Sequence, residues 1–242
     1  MTQADTLAIS PAALQTMPKI RGASLLRMML PVRDFCWHGV DYTSRHQVES
    51  YIANKFHTEY GANVTTFAPL LLSMSCNREL SAAVGVRPAK SSALFVEQYL
   101  DENVEHYIHQ SPDGEPVNRD NIVEISNLVA TWRGASQLLF LVLGIALYEA
   151  GYRWLAFSAT DKVERITRKF PFPLQVLCDS DPERLGERAS EWGRYYETSP
   201  KVIVGDIKAA YEKAQHNRAL KMALTFYRPL TRRLVRTIPV IA

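Results

Sequence analysis

Two adjoining stretches carry side chains whose type and spacing suit chemistry. In Ile122–Ala130 apolar and polar residues alternate, the period of a strand with one buried face, which puts Glu124 and Ser126 on the same side. Directly after it, Trp132-Arg-Gly-Ala-Ser-Gln137 forms a turn between strand and helix. Backbone N–H groups and the helix dipole favour an anion such as phosphate at that place, with Trp132, Arg133, Gly134 and Ser136 as its candidate contacts. The turn has neither the GxGxxG of a dinucleotide site nor the GxxxxGK[ST] of a P-loop. A phosphate-binding loop and an ordinary tight turn both fit it.

The elements around these residues read as strand, turn, buried helix, strand, helix. Gln137–Tyr148 is apolar on nearly all sides, with Gly151 at a helix C-cap position, so this helix belongs inside a core. Tyr152–Thr160 follows as a strand, and Thr160 or Asp161 caps a helix over Lys162–Phe170. Such a run predicts parallel neighbouring strands joined by a right-handed crossover. Upstream, the spacing predicts a strand or a short helix at Ser24–Leu30, an amphipathic helix from Ser44 to Gly61, and strands over Asn63–Ser75 and Leu80–Arg87 about a turn at Cys76–Glu79. Leu94–His109 reads as helical. Downstream, Leu174–Cys178 and Lys201–Val204 are predicted strands, with a helix from Pro182 to about Glu197 between them. The chain turns helical and basic from Asp206: Lys208–Arg236 holds eight Lys or Arg and one acid, Glu212.

Composition bounds the function classes. With 242 residues, 22% charged and a net charge of +3, the chain is an ordinary globular protein, and it lacks the basic-aromatic pattern of a nucleic-acid surface. Cys36, Cys76 and Cys178 are odd in number and far apart, which suggests neither a disulfide framework nor a metal site; a reducing cytoplasm fits. No basic-then-apolar signal pattern opens the sequence, and the longest apolar run, Leu138–Tyr148, falls short of the about 20 residues that cross a bilayer. His106 and His109 have no serine or cysteine nucleophile motif beside them. The expected organisation is a flexible leader over 1–20, one domain over 21–207 and a basic helical C-terminal extension over 208–242.

Several separated motifs stand in a recognisable order: Arg45–Ile52, Glu59–Ala62, Ala83–Ala89, Leu94–Asp101, Val123–Ala130, and Trp192–Tyr196 with Pro200–Gly205. Over residues 44–207 the chain resembles the thermostable hemolysin family, which in turn is similar to the acyl-homoserine-lactone synthases and, more distantly, to the GNAT superfamily of N-acyltransferases. The resemblance implies an α/β fold of the α+β sandwich kind, a GNAT-like mixed central sheet with helices on both faces. Autoinducer synthases carry E-x-x-R where this chain has Glu124-Ile-Ser-Asn127, and their early paired aspartates have no match. These departures weaken the case for S-adenosylmethionine as acyl acceptor.

The chemistry so implied is direct attack of an amine on an acyl thioester of coenzyme A or acyl carrier protein, with no permanently bound cofactor. It needs a base, oxyanion donors and room for the acyl chain. Glu124 is the candidate base, since burial raises a carboxylate pKa; its alternative role is pairing with Arg87 on an adjacent strand. Asn127 and Thr160 complete the expected catalytic set. Main-chain groups of Leu128, Val129 and Ala130 would hold the thioester, Arg45 and Arg87 an acceptor carboxylate, Ser126 the acceptor, and Glu97 with Asp101 the acceptor amine. Phe140, Leu143, Trp154 and Phe157 are candidate acyl-tunnel residues, although such residues commonly form core. Arg165, Arg168 and Lys169 could receive an acidic carrier protein, and the basic C-terminal helix a membrane surface. The competing readings are a membrane-active lytic protein and a catalytically silent acyl-binding module.

Overall fold

A computed structural model of the protein describes residues 33–108, 116–132, 134–167 and 170–239. The leader, the expected strand at Ser24–Leu30, His109, Arg133, Arg168 and Lys169 lie outside the described residues. In chain order the elements are β1 (Arg33–His38), α1 (Arg45–Tyr60), β2 (Leu70–Cys76), β3 (Glu79–Pro88), β4 (Ile122–Ala130), α2 (Ala135–Glu149), β5 (Trp154–Ala159), α3 (Asp161–Thr167), β6 (Leu174–Asp179), β7 (Lys201–Asp206), α4 (Ile207–Gln215) and α5 (Arg218–Arg236).

The strands build one seven-stranded sheet in the order β1-β2-β3-β4-β5-β7-β6. β4 and β5 are parallel while every other pair is antiparallel, because α2 carries the chain across the sheet between them. The β2–β3 turn has positive φ at both Asn77 and Arg78, the two-residue geometry that matches the twist of a hairpin. Helices cover both faces, as expected. α2 is buried nearly all round: Leu138, Leu139, Val142 and Leu143 pack on the sheet, and the buried residues Leu220, Ala223, Leu224 and Tyr227 of α5 join the same core. The other face receives Val48, Ile52 and Phe56 of α1 and the segment from Leu94 to Ile108.

Polar groups pin the elements in place. Asn217 caps α5 by accepting from the N–H groups of Ala219 and Leu220, and the Trp37 indole donates to the Leu234 carbonyl at 3.1 Å, tying α5 to the edge strand β1. Gly61 ends α1 in the left-handed conformation. Ser44 precedes that helix without capping it, because its hydroxyl is engaged with His38 Nδ1 at 2.9 Å.

Four expectations need correction. Leu94–His109 is not an α-helix; it holds two short 3-10 turns, Phe95–Tyr99 and Val104–His106. Its N–H groups at Leu94 and Val104 go to the Glu97 carboxylate and those at Phe95 and Val96 to Glu124. Carboxylates there replace the helical ladder. The strand expected from Asn63 begins at Leu70, after Pro69, and the helix expected over Pro182–Glu197 is 3-10 and is broken at Gly186, whose φ is +57°. α3 is described over Asp161–Thr167, and Phe170 stands in a turn rather than in the expected helix.

Candidate functional site

The site lies where β4 and β5 part. They pair only at Ile122–Trp154, Val123–Leu155 and Glu124–Ala156; beyond that β4 stays with β3 and β5 with β7. A bulge sharpens the departure, since Asn127 has φ +54° and the β3–β4 register shifts between Ala83 and Gly85. One extra residue reverses which side chains face which way. Val123 and Ile125 face the α2 core, and so do Leu128 and Ala130, whereas Val129 turns to α1. Gly85 is needed opposite the bulge: a Cβ there would sit 2.9 Å from Ser126 Oγ and 2.8 Å from Ala68 Cβ.

The parting opens a cleft of about 630 Å³. One wall is β4 from Ile125 to Ala130 and the start of α2 at Gly134 and Ser136; the other is Phe157, Ser158 and Thr160 with α3; Phe56, Tyr60 and Tyr195 close a third side. Main-chain groups of β4 that no longer meet β5 form a ready edge for an extended ligand. At the cleft end, Gly134 takes φ +103° as the residue before α2 and, having no side chain, offers no cap to that helix; the Ala135 N–H turns back to the Trp132 carbonyl, and the helix N-terminus is where an anion is favoured. Trp132 is 37% exposed, with the Arg33 guanidinium 5.3 Å over its ring.

Glu124, the last β4 residue paired with β5, is buried at 1% exposed and lines neither the cleft nor the smaller pocket beyond β4. Its carboxylate accepts from the N–H groups of Phe95 at 2.8 Å and Val96 at 2.9 Å, and Arg87 Nε stands 3.5 Å away. Loss of hydration pushes its pKa up to about 7, against the pull of those two N–H groups and of Arg87. This carboxylate can therefore take and release a proton near neutrality.

A second, smaller pocket lies on the other side of β4, and Ser126 and Asn127 line both spaces. Arg87, Arg188, Glu191, Phe95 and Trp192 line it as well. The Ser126 hydroxyl donates to Asn127 Oδ1 at 3.1 Å. Arg87 Nε is buried without a hydrogen-bond partner. Two guanidinium groups and a carboxylate around an apolar-walled pocket suit a small polar acceptor. Arg188 and Glu191 were not anticipated. Their nearest sequence signal is the adjoining Trp192–Tyr196 motif, which marks the segment but not these two residues.

Other expected residues have different employment. Arg45 is buried and donates to the carbonyls of His38, Ala68 and Pro69 and to Glu49, so it buckles α1 to the strands. Glu97 is held by Arg119 at 2.7 Å as well as by Leu94 and Val104. Burial works to raise its pKa, but these bonds and the Arg119 charge more than offset that and lower it. Asp101 pairs with Arg184 at 2.7 Å, and no helix face joins it to Glu97. Trp154 packs in the core on the Leu94–Ile108 side while Phe140 and Leu143 lie on the α2 side, so these candidates do not line one tunnel; Phe157 does reach the cleft. Thr160 is at the cleft with its hydroxyl buried and turned toward that of Tyr60. His106 is exposed beside Glu102.

Tyr195 stands in the Trp192–Tyr196 motif, but nothing in the sequence assigned it a role. It lines the cleft, its hydroxyl lies 3.3 Å from Ser158 Oγ, and burial pushes its pKa well above the usual tyrosine value.

The family model described as thermostable hemolysin matches residues 39–211. Among curated proteins none matches the sequence. Among solved structures the chain is similar to TofI in a ternary complex with an inhibitor and MTA, at 14% identity and a TM-score of 0.50, over 78% of this chain and 96% of that one. It also overlays on the AHL synthase LasI (9% identity, TM-score 0.48, 75% and 94% covered) and on MesI, a CoA-dependent acyl-homoserine lactone synthase (12%, 0.45, 86% and 98%). The TofI likeness is one of fold.

Proposed function

The chain belongs to the thermostable hemolysin family, and we propose that it is an N-acyltransferase moving an acyl group from a coenzyme A or acyl carrier protein thioester to a small amine or amino acid, in signal or secondary-metabolite synthesis. The observation that carries this reading is the parting of β4 from β5 after Glu124 and Ala156. A pantetheine arm, with its amides, would pair with the free edge of Leu128–Ala130 as an added strand does, its phosphates meeting the first turn of α2 near Ser136, Trp132 and Arg133.

The acceptor would enter from the Arg87 pocket, a carboxylate on it held by Arg87 and Arg188, and meet the thioester carbonyl beside Ser126 and Asn127. Glu124 takes the amine proton, main-chain N–H groups of Leu128–Ala130 hold the oxyanion, and the C–S bond breaks as the amide forms. Tyr195, still protonated at neutral pH, is placed to return a proton to the departing thiolate, and Thr160 completes the cleft wall. The thioester is a co-substrate, and no resident cofactor is needed. Reduced Cys36, Cys76 and Cys178 go with a cytoplasmic setting.

The test is thiol release from acyl thioesters in the presence of an amine panel. No release with any pair would sink the reading. The lytic alternative would have to use α5, whose apolar face is already packed on α2, so insertion would require undoing the core. We propose instead that the exposed basic face of α5 makes peripheral contact with an anionic membrane surface, and that Arg165, near the cleft, belongs to the carrier-protein contact.

A further inference from the structure

Beyond Ala156 β5 has left β4, and its side chains alternate: Phe157 and Ala159 enter the α2 core, so Ser158 turns to the opposite face. There its Oγ lies 2.8 Å from the Ser180 Oγ and 3.3 Å from the Tyr195 hydroxyl. Ser158 and Tyr195 both line the cleft. Ser180 stands behind Ser158, 3% exposed, just past the end of β6, where its N–H donates to the Pro200 carbonyl. The Tyr195 ring is held among those of Phe56, Tyr60, Trp192 and Tyr196, at centroid distances of 5.2 to 6.4 Å. With the ring fixed, what remains to be set is the direction of its O–H.

Three hydroxyls carry three protons, and burial decides which way the chain runs. Were Tyr195 to donate to Ser158 and Ser158 to Ser180, the last proton would sit on Ser180, whose hydroxyl meets only Ser158 among the described residues. A buried donor without an acceptor is destabilising. Run the other way, Ser180 donates to Ser158 and Ser158 to the Tyr195 oxygen. Each inner proton then has an acceptor, and the one left over is the tyrosine's, at the cleft. Burial raises the Tyr195 pKa and the Ser158 contact draws it back, the effect of a donor that favours the tyrosinate.

We propose that Ser180 and Ser158 are positioning residues for proton delivery, a relay that aims the Tyr195 proton at the thioester sulfur and steadies the tyrosinate left behind. The assignment rests on the acyltransferase reading above. As the amine nitrogen bonds to the carbonyl carbon, the C–S bond breaks, its electron pair stays on sulfur, and the Tyr195 proton joins it there. The amine proton goes to Glu124, and solvent returns a proton to Tyr195 as Glu124 gives one up.

Single-turnover thiol release from acetyl-CoA and octanoyl-CoA, with glycine, glutamine, phenylalanine, arginine and ethanolamine as acceptors, tests the relay. Tyr195→Phe should slow release by about 10²- to 10⁴-fold. Ser158→Ala should slow it by about 10- to 100-fold, the worth of a hydrogen bond to a charged group, and Ser180→Ala by about 2- to 10-fold. The thioester concentration giving half the maximal rate should not move, and Ser158→Thr, which keeps the hydroxyl, should stay close to wild type. The double variant decides: Ser158→Ala added to Tyr195→Phe should slow release no further, because groups acting as a unit are not additive. If Ser158→Ala does not fold, Ser180→Ala carries the same cycle. Wild-type rate in Ser158→Ala, or an equal loss from it with and without the Tyr195 hydroxyl, would overturn the relay while leaving the acyltransferase reading standing. No release by wild type from either thioester with any acceptor would remove both.

Discussion

Arg87 Nε stands 3.5 Å from Glu124 Oε2, across a register in which the two residues are direct partners on β3 and β4. Arg87 Nε has no hydrogen-bond partner and Arg87 lines the small pocket, while the carboxylate is fixed from behind by two backbone N–H groups.

Glu124→Gln should lower the rate of thiol release by about 10²- to 10⁴-fold, the usual contribution of a positioned base. In wild type the rate should rise with pH through about 7 as the carboxylate loses its proton. Stopped-flow or plate-based thiol assays from pH 5.5 to 9 measure both effects, and a variant of wild-type rate would remove Glu124 from the mechanism.

The same carboxyl makes stability depend on pH. Its folded pKa is raised from 4.5 to about 7, so between those values the folded state binds more protons than the unfolded one, and stability falls as pH rises. The contribution is complete below 4.5 and gone above 7. Urea unfolding of wild type and Glu124→Gln should show the variant gaining on wild type by on the order of 3 kcal/mol between pH 4 and pH 8.

Arg87→Met takes away the cation beside Glu124 and should move the rising limb of the rate profile about one pH unit upward. It should also raise KM for carboxylate-bearing amines more than for amines without one. An unshifted limb with an ordinary fold would show that the two groups do not feel each other.

Gly85→Ala should cost about 1–3 kcal/mol of stability through overpacking, because the new methyl meets Ser126 Oγ and Ala68 Cβ. Chemical denaturation measures the cost. Full stability would mean that the bulge at Asn127 yields easily, contrary to its tight surroundings.

The basic face of α5 carries Arg218, Lys221, Arg228, Arg232, Arg233 and Arg236, all exposed, with Met222 and Phe226 also standing out from the surface. Flotation with vesicles should give binding to phosphatidylserine-containing bilayers, none to neutral ones, and loss of binding at high salt, at about 1 kcal/mol per basic side chain near the surface. Arg232→Glu with Arg233→Glu should abolish it. Equal binding to neutral vesicles would rule out the electrostatic contact.

Alternation in Ile122–Ala130 and the uninterrupted apolar character of α2 made the central unit legible from sequence, because local period and burial agree there. The parallel pairing of β4 with β5 followed from the crossover. Leu94–His109 was misread because its apolar spacing suits a helix, whereas its N–H groups are bound by carboxylates, one of them 29 residues away in sequence. Arg188, Glu191 and Tyr195 come from a segment of 3-10 turns, where no regular period announces which side chains turn inward. Arg45 was expected to hold an acceptor carboxylate, but only the fold shows that its donors end on three carbonyls.

The sheet is joined across its middle by three rungs, Ile122–Trp154 to Glu124–Ala156, so mechanically it is two plates, β1–β4 and β5–β7, meeting at a short seam. A molecule lodged in the gap would rivet both plates at the end where the seam gives out. Amides along Phe157–Ala159 should therefore exchange with solvent more slowly when a thioester is bound, a protection that a rigid, fully laddered sheet would not gain.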